Sequence, residues 1–164
     1  MSIDPTRALQ RSISIARLHI PTFEEVEADT SCTGEAGAVL VASAIIGSVG
    51  SLFINGLWGF LAMIVVMIGG WFVWAWSSAQ IAERVFGVET TDTGEMLRVL
   101  GYGSAPRALG LIPFLGFVAL IWTLVTLVIG IRQAGEMTTA GAIITGLIGL
   151  IPTAVAMALI TALL

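Results

Sequence analysis

Two arginines, Arg98 and Arg107, flank a short glycine-containing stretch within an otherwise apolar part of the chain. A guanidinium group binds carboxylates and phosphates through paired hydrogen bonds, and ionisable side chains in apolar sequence often belong to functional sites. Both arginines are therefore candidates to contact an anionic lipid headgroup, a substrate or a partner protein. A simpler alternative is that Arg98 pairs with Glu95, or that both side chains extend towards a membrane surface.

The stretch between the arginines predicts a break in a helix. A helix cannot pass unchanged through Pro106, because the proline ring collides with the carbonyl group of Tyr102. Ser104 is suited to capping a helix that restarts after the break. Gly101, Tyr102 and Pro106 are therefore candidate contact residues. They could line a transport path through a broken helix, or form a packing kink in which Tyr102 hydrogen-bonds to a neighbour.

A second group of candidates is acidic and lies near the N-terminus. Thr22, with Glu25 three residues later, matches a capping box, which predicts a short helix over residues 23–28 after a break at Pro21. Carboxylates at this density could bind a cation or a basic partner, although a solvated helix face is the simpler explanation. The candidate contacts in this segment are Glu24, Glu25, Glu27 and Asp29.

No combination of residues points to catalysis. The chain has one histidine, His19, and one cysteine, Cys32, which excludes an internal disulfide, a histidine-rich zinc site and a Ser-His-Asp triad within a membrane. We predict no catalytic, cofactor-binding or metal-binding site, and therefore no enzyme. Seven arginines, no lysine and a net charge of −4 form no basic patch, so we expect no nucleic-acid partner.

The elements that position these residues are apolar helices. The chain is 57% hydrophobic and only 11% charged, with a mean hydropathy of +0.98, whereas soluble domains carry about 25% charged residues. A water-soluble fold could not cover itself with so few charges, so the apolar surface must face lipid. The sequence therefore predicts an all-α integral membrane helical bundle.

The chain divides into a cytoplasmic or interfacial segment over residues 1–30 and a transmembrane bundle over residues 31–164. In the first segment, Arg7 and Arg11 lie opposite an apolar helical face, which predicts an amphipathic helix on an anionic leaflet. Asn55-Gly56 predicts a turn between two spans, and Asp92 with Glu95 matches a capping box at a helix start. The predicted spans are 36–54, 57–76, 93–112, 114–131 and 139–163.

The number of spans remains open between five and four. With five, residues 93–112 cross the bilayer and the chain turns at Pro113 to Gly116. With four, residues 93–103 lie at the interface and one kinked helix runs from Ala105 to Ile131. Both arrangements satisfy the positive-inside rule, so the arginine distribution does not decide between them.

Three motifs resemble the Ypt-interacting-protein (Yip) domain family. They are Gly101-Tyr102-x-x-x-Pro106 followed by Leu111-Ile112-Pro113-Phe114, the segment Phe23 to Gly34, and the segment Ile121 to Ala134. The resemblance favours five spans and a cytoplasmic N-terminus. Eukaryotic relatives act in vesicle traffic and engage prenylated Rab-type GTPases, whereas for short prokaryotic members the resemblance implies a membrane protein without a defined activity.

Two functions are compatible with these patterns. The first is a non-catalytic scaffold or accessory subunit of the cell membrane, expected to be the bacterial cytoplasmic membrane, which packs with other membrane proteins or with itself. The alternative is a small transporter or channel component built on the broken third helix. A transporter predicts a polar cavity that reaches residues 101–106.

Overall fold

The computed structural model describes residues 3–88, 91–112 and 115–163, and this part of the chain contains helices and no β-strand. The predicted all-α class is therefore confirmed. Short 3₁₀ helices cover Thr30–Cys32 and Ala105–Leu111. The α-helices are α1 (Pro5–Ala16), α2 (Ile20–Ala28), α3 (Thr33–Phe86), α4 (Thr93–Gly103), α5 (Gly116–Ala134) and α6 (Thr139–Leu163).

The long helix α3 is a hairpin of two arms, residues 33–55 and 57–86. Gly56 has a φ of +66°, a left-handed conformation that glycine adopts without strain. The two arms lie side by side, and Ser48 Oγ of the first arm is 3.6 Å from Met67 Sδ of the second. The turn therefore lies where the Asn55-Gly56 pair predicts it.

Within the described ranges, four helical segments are long and apolar enough to cross a membrane, which supports the predicted membrane bundle. They are Thr30–Gly50, Asn55–Phe86, Gly116–Ala134 and Thr139–Leu159. The second is the least covered by the rest of the bundle, since only 11% of its most apolar window is buried, against 28–39% in the other three.

The predicted third span, residues 93–112, is composite. The 11 residues of α4 are followed by the seven of the 3₁₀ helix Ala105–Leu111. At about 1.5 Å per residue in the α-helix and 2.0 Å in the 3₁₀ helix, the two together measure about 30 Å. The turn predicted at Pro113 to Gly116 falls partly outside the described residues.

The composite segment runs parallel to the first arm of α3, and α5 runs back beside it. A Cβ on Gly101 would lie 2.8 Å from the Ala36 carbonyl oxygen, whereas one on Gly47 would lie 3.4 Å from the Arg107 carbonyl oxygen. Gly130 of α5 packs on Val99. Close approach at glycines is how membrane helices gain dispersion contacts that lipid cannot replace.

The side chains of Thr22 and Ser104 make no capping hydrogen bond, whereas the cap predicted at Asp92 is confirmed. Asp92 and Glu95 form the capping box at α4, with the Glu95 N–H donating to Asp92 Oδ1 at 2.7 Å and the Asp92 N–H to Glu95 Oε2 at 3.0 Å. Thr22 does not cap α2, which begins earlier, because Pro21 fits a first helical turn where its missing N–H is not needed. Ser104 occupies the N-cap position of the 3₁₀ helix, but its hydroxyl donates back to the Gly101 carbonyl at 2.6 Å and does not cap that helix.

Candidate functional site

Glu35, in the first turn of α3, is the centre of a network of side-chain hydrogen bonds and ion pairs. Its side chain is 2% exposed and accepts hydrogen bonds from three residues of two other helices. Arg11 Nη1 donates at 3.3 Å, Tyr102 Oη at 3.0 Å, and Arg7 donates through Nε at 3.1 Å and also through Nη2. The carboxylate therefore ties α1 and α4 to the start of α3.

Arg11 extends this cluster to the acidic segment. It is 7% exposed, and its guanidinium donates to Glu25 Oε1 at 2.6 and 3.0 Å and to Asp29 Oδ2 at 2.9 Å. Hydrogen bonds from Ser31 and Arg11 hold the pKa of Asp29 below its usual value. We call Arg7, Arg11, Glu25, Asp29, Glu35 and Tyr102 the Glu35 network.

The network fixes the orientation of α1. The sequence predicts an arginine face and an apolar face, and the structure turns the arginine face inward, onto the bundle. Leu9 and Ile13, on the opposite face, are 61% and 43% exposed. At its end, α1 is held by Trp122 of α5, whose Nε1 donates to the Ala16 carbonyl at 2.7 Å. The apolar face is thus the one available to lipid.

Arg98 lies inside the bundle rather than at its surface. Its Nε donates to the carbonyl oxygens of Val26 at 3.0 Å and Glu27 at 2.9 Å, and its Nη2 also donates to Glu27. These carbonyls belong to the last turn of α2, where no further helical N–H is available and a cation is favoured by the helix dipole. Arg98 therefore joins α2 to α4, and Glu95 is engaged in its own capping box.

The glycine-proline break is tightly packed on one side and open on the other. Tyr102 is fully buried and hydrogen-bonded to a neighbouring helix, as one of the two sequence interpretations predicts. Pro106 is buried, at the start of the 3₁₀ helix. Arg107 and Ser104 line a cavity of about 100 Å³ that is otherwise mostly apolar.

The acidic segment divides between two places. Glu25 and Asp29 belong to the Glu35 network, whereas Glu24 and Glu27 line a separate cleft of about 410 Å³ between α2 and the end of α5. Glu24 Oε1 accepts from Gln133 Nε2 at 3.3 Å. Roles of all these predicted residues towards lipid or a partner stay predictions.

Glu27 makes the stability of the fold depend on pH. Burial, together with the charges of Glu95 and Glu136, raises its pKa from 4.5 to about 7. An unfolded chain loses this proton near pH 4.5 and the folded chain only near pH 7, so stability should fall as the pH rises between these values and stay level above them. Glu27→Gln should flatten this slope and melt at a higher temperature than the wild type at pH 8.

Thermal unfolding in detergent at pH 4.5, 6 and 8 measures this effect. Glu24→Gln is the matched control, because Glu24 is an exposed carboxylate of the same cleft and its removal should leave most of the slope. Equal slopes in the wild type and Glu27→Gln would contradict the assignment.

Sequence reasoning missed Glu35, although a signal was present. Glu35 is the only charged residue between Asp29 and Glu83, at the edge of the first apolar run. A lone carboxylate there requires a partner, since an unpaired charge next to lipid is costly. The described residues contain no group of three or more histidine, cysteine or acidic side chains that could hold a metal ion. The geometry of the network serves to hold helices together.

Comparison with known proteins gives one finding. The family model for the Yip1 domain matches residues 21–163, which run from the second residue of α2 to the end of α6 and include the motifs around the break. Searches of curated proteins and of solved structures found no match. The matched region covers most of the chain, so the chain belongs to the Yip1 domain family.

Proposed function

We propose that this Yip1-domain protein is a non-catalytic membrane scaffold or accessory subunit that packs against other membrane proteins or a second copy of itself. The observation that carries the proposal is the uncovered second arm of α3, of whose most apolar window only 11% is buried. Five exposed apolar side chains of this arm are spaced 4 or 7 residues apart. Residues at these spacings lie on the same side of a helix, so the five side chains share one face. They are Leu57, Leu61, Val65, Phe72 and Trp76.

The internal use of the polar groups supports the same proposal. Glu35, Tyr102 and Arg98 are satisfied by contacts between the helices of this chain. The outer faces of the helices are left for lipid or for other helices, whose association in a membrane depends on close packing.

Photo-crosslinking in cells tests whether the exposed apolar face of the second arm of α3 contacts another protein. A photoreactive amino acid at Phe72 should give a discrete protein adduct, whereas the same group at Val118, an exposed position on α5, should give mainly lipid adducts. Co-expression of two differently tagged copies shows whether the partner is a second copy of the chain. Lipid adducts alone at Phe72, Val65 and Leu61 would contradict the scaffold proposal.

The proposal includes five crossings, a cytoplasmic N-terminus and a bacterial cytoplasmic membrane. Its support is the parallel course of the composite segment and the first arm of α3, followed by the return of α5. In a Cys32→Ser background, Ala162→Cys should react with an impermeant maleimide in intact cells, and Asp4→Cys only after permeabilisation. Labelling of both only after permeabilisation would indicate four crossings.

A small transporter or channel component is the second candidate function. The observation that favours it is the cavity that reaches the break at Ser104 and Arg107. Its lining is mainly apolar, whereas coupled transport relies on polar groups near the bilayer midplane. Solute flux into vesicles containing the purified protein would favour this candidate over the scaffold.

A further inference from the structure

We propose that the cavity at Arg107 binds the oxyanion head of an anionic lipid, with the first part of an acyl chain against its apolar wall. The cavity lies where the second arm of α3, the composite segment, α5 and α6 meet. The inference is independent of the scaffold proposal, because it concerns the interior of the bundle rather than the outer face of α3.

The Arg107 guanidinium has no hydrogen-bond or ion-pair partner among the described residues. The guanidinium groups of Arg7, Arg11 and Arg98 all donate to carboxylates or backbone carbonyls. The backbone N–H of Arg107 donates to the Ser104 carbonyl at 3.0 Å, but no hydrogen bond or ion pair joins its guanidinium to a described residue. Arg107 is also partly buried among apolar side chains. A guanidinium in such surroundings is costly unless an anion accompanies it.

The other polar side chains of the cavity wall already donate their hydrogens to carbonyl groups of the chain. The indole N–H groups of Trp71 and Trp74 donate to the carbonyls of Leu97 and Gly146, both at 3.1 Å. The hydroxyl group of Ser104 donates to the Gly101 carbonyl of α4 at 2.6 Å, and that of Thr153 donates to the Gly149 carbonyl of its own helix at 2.8 Å. Among the side chains of the wall, the donors left for a ligand are those of Arg107, so the ligand must present an acceptor, and a guanidinium prefers an anionic one.

The size and polarity of the cavity also suit the head of an amphiphile. About 100 Å³ is less than the roughly 150 Å³ of an engineered cavity that admits benzene, so the site can hold a carboxylate or phosphate group but not a whole lipid. The remaining wall is apolar, with residues such as Leu127, Leu150 and Met157. This combination of one cation and an apolar wall fits an amphiphile better than a free ion.

Native mass spectrometry of the full chain, released from micelles with equimolar phosphatidylglycerol and phosphatidylcholine, tests the proposal. The wild type should retain phosphatidylglycerol preferentially, and Arg107→Gln should reduce this preference about tenfold, the loss expected for one charge-assisted contact. Arg84→Gln, which removes an exposed arginine, should retain the preference. Equal retention by the wild type and Arg107→Gln would overturn the proposal.

Two further arms distinguish the sources of the oxyanion. Oleate should compete with phosphatidylglycerol if a carboxylate head suffices, and phosphatidylglycerol alone should bind if a phosphate head is required. Either result supports an anionic lipid. Displacement of phosphatidylglycerol by millimolar inorganic phosphate would overturn the lipid assignment, because it would show a site for a free anion.

A second measurement keeps Arg107 and so does not depend on the folding of its variants. Trp58, Trp76 and Trp122 are replaced by phenylalanine, leaving Trp71 and Trp74 on the cavity wall as fluorophores. Brominated phosphatidylglycerol should quench their fluorescence more strongly than brominated phosphatidylcholine at the same mole fraction. Equal quenching by the two lipids would contradict the proposed site.

Discussion

Replacing Glu35 by glutamine should release α1 from the bundle and lower the free energy of unfolding by about 3 kcal/mol, the lower end of the range for breaking a buried ion pair. The reason is that Glu35 is the shared acceptor of Arg7, Arg11 and Tyr102, and is almost completely buried. Arg11 keeps its hydrogen bonds to Glu25 and Asp29 in the variant, which limits the loss of stability.

Glu25→Gln is the matched control for this prediction. Glu25 is also paired with Arg11, but its side chain is 55% exposed, so its removal should cost no more than about 1 kcal/mol. Thermal unfolding in detergent measures the stability, and the rate of tryptic cleavage after Arg11 reports the release of α1. The assignment of Glu35 as the centre of the network fails if the two variants melt and are cleaved alike.

Replacing Gly101 by alanine should destabilise the bundle by about 2 kcal/mol, within the range for overpacked interiors. A Cβ at this position would lie 2.8 Å from the carbonyl oxygen and 2.9 Å from the Cβ of Ala36, so α3 and α4 would have to move apart. Helix propensity alone predicts the opposite sign, because alanine is favoured over glycine by about 1 kcal/mol. The sign of the effect therefore separates packing from propensity.

Gly110→Ala is the control, because Gly110 has no atom within 4 Å of its added Cβ and lies in the 3₁₀ helix after the break. This variant should be neutral, or more stable by a few tenths of a kcal/mol because the unfolded chain loses freedom. Melting temperatures in one detergent compare the two. A Gly101→Ala protein as stable as Gly110→Ala would show that the helices can separate there without cost.

Local patterns predicted the local structure well. The Asn55-Gly56 turn, the capping box of Asp92 and the interruption before Pro106 depend on a few neighbouring residues, and the structure has all three. The start of α2 was predicted wrongly, since Pro21 is compatible both with ending one helix and with opening the next. Deciding between these two needs the contacts of the following helix.

The partners of the charged residues could not be predicted in this way. Arg11 and Glu35 are 24 residues apart, and Arg98 lies 71 residues from Glu27, so no helical spacing brings them together. The arginine face of α1 could equally meet anionic lipid or carboxylates of the same chain. The structure places carboxylates there, and they neutralise two arginines that would otherwise remain for the membrane surface.

The sequence by itself determined that this protein is an all-α membrane bundle of the Yip1 domain family, because composition and short motifs do not depend on how the helices are arranged. Only the tertiary structure decided which charges are paired, and with what. Burial next to lipid makes every unpaired charge costly, so helices assemble where distant charges meet. Glu35 meets Arg7 and Arg11 in this way, and Arg107 is left facing an open cavity.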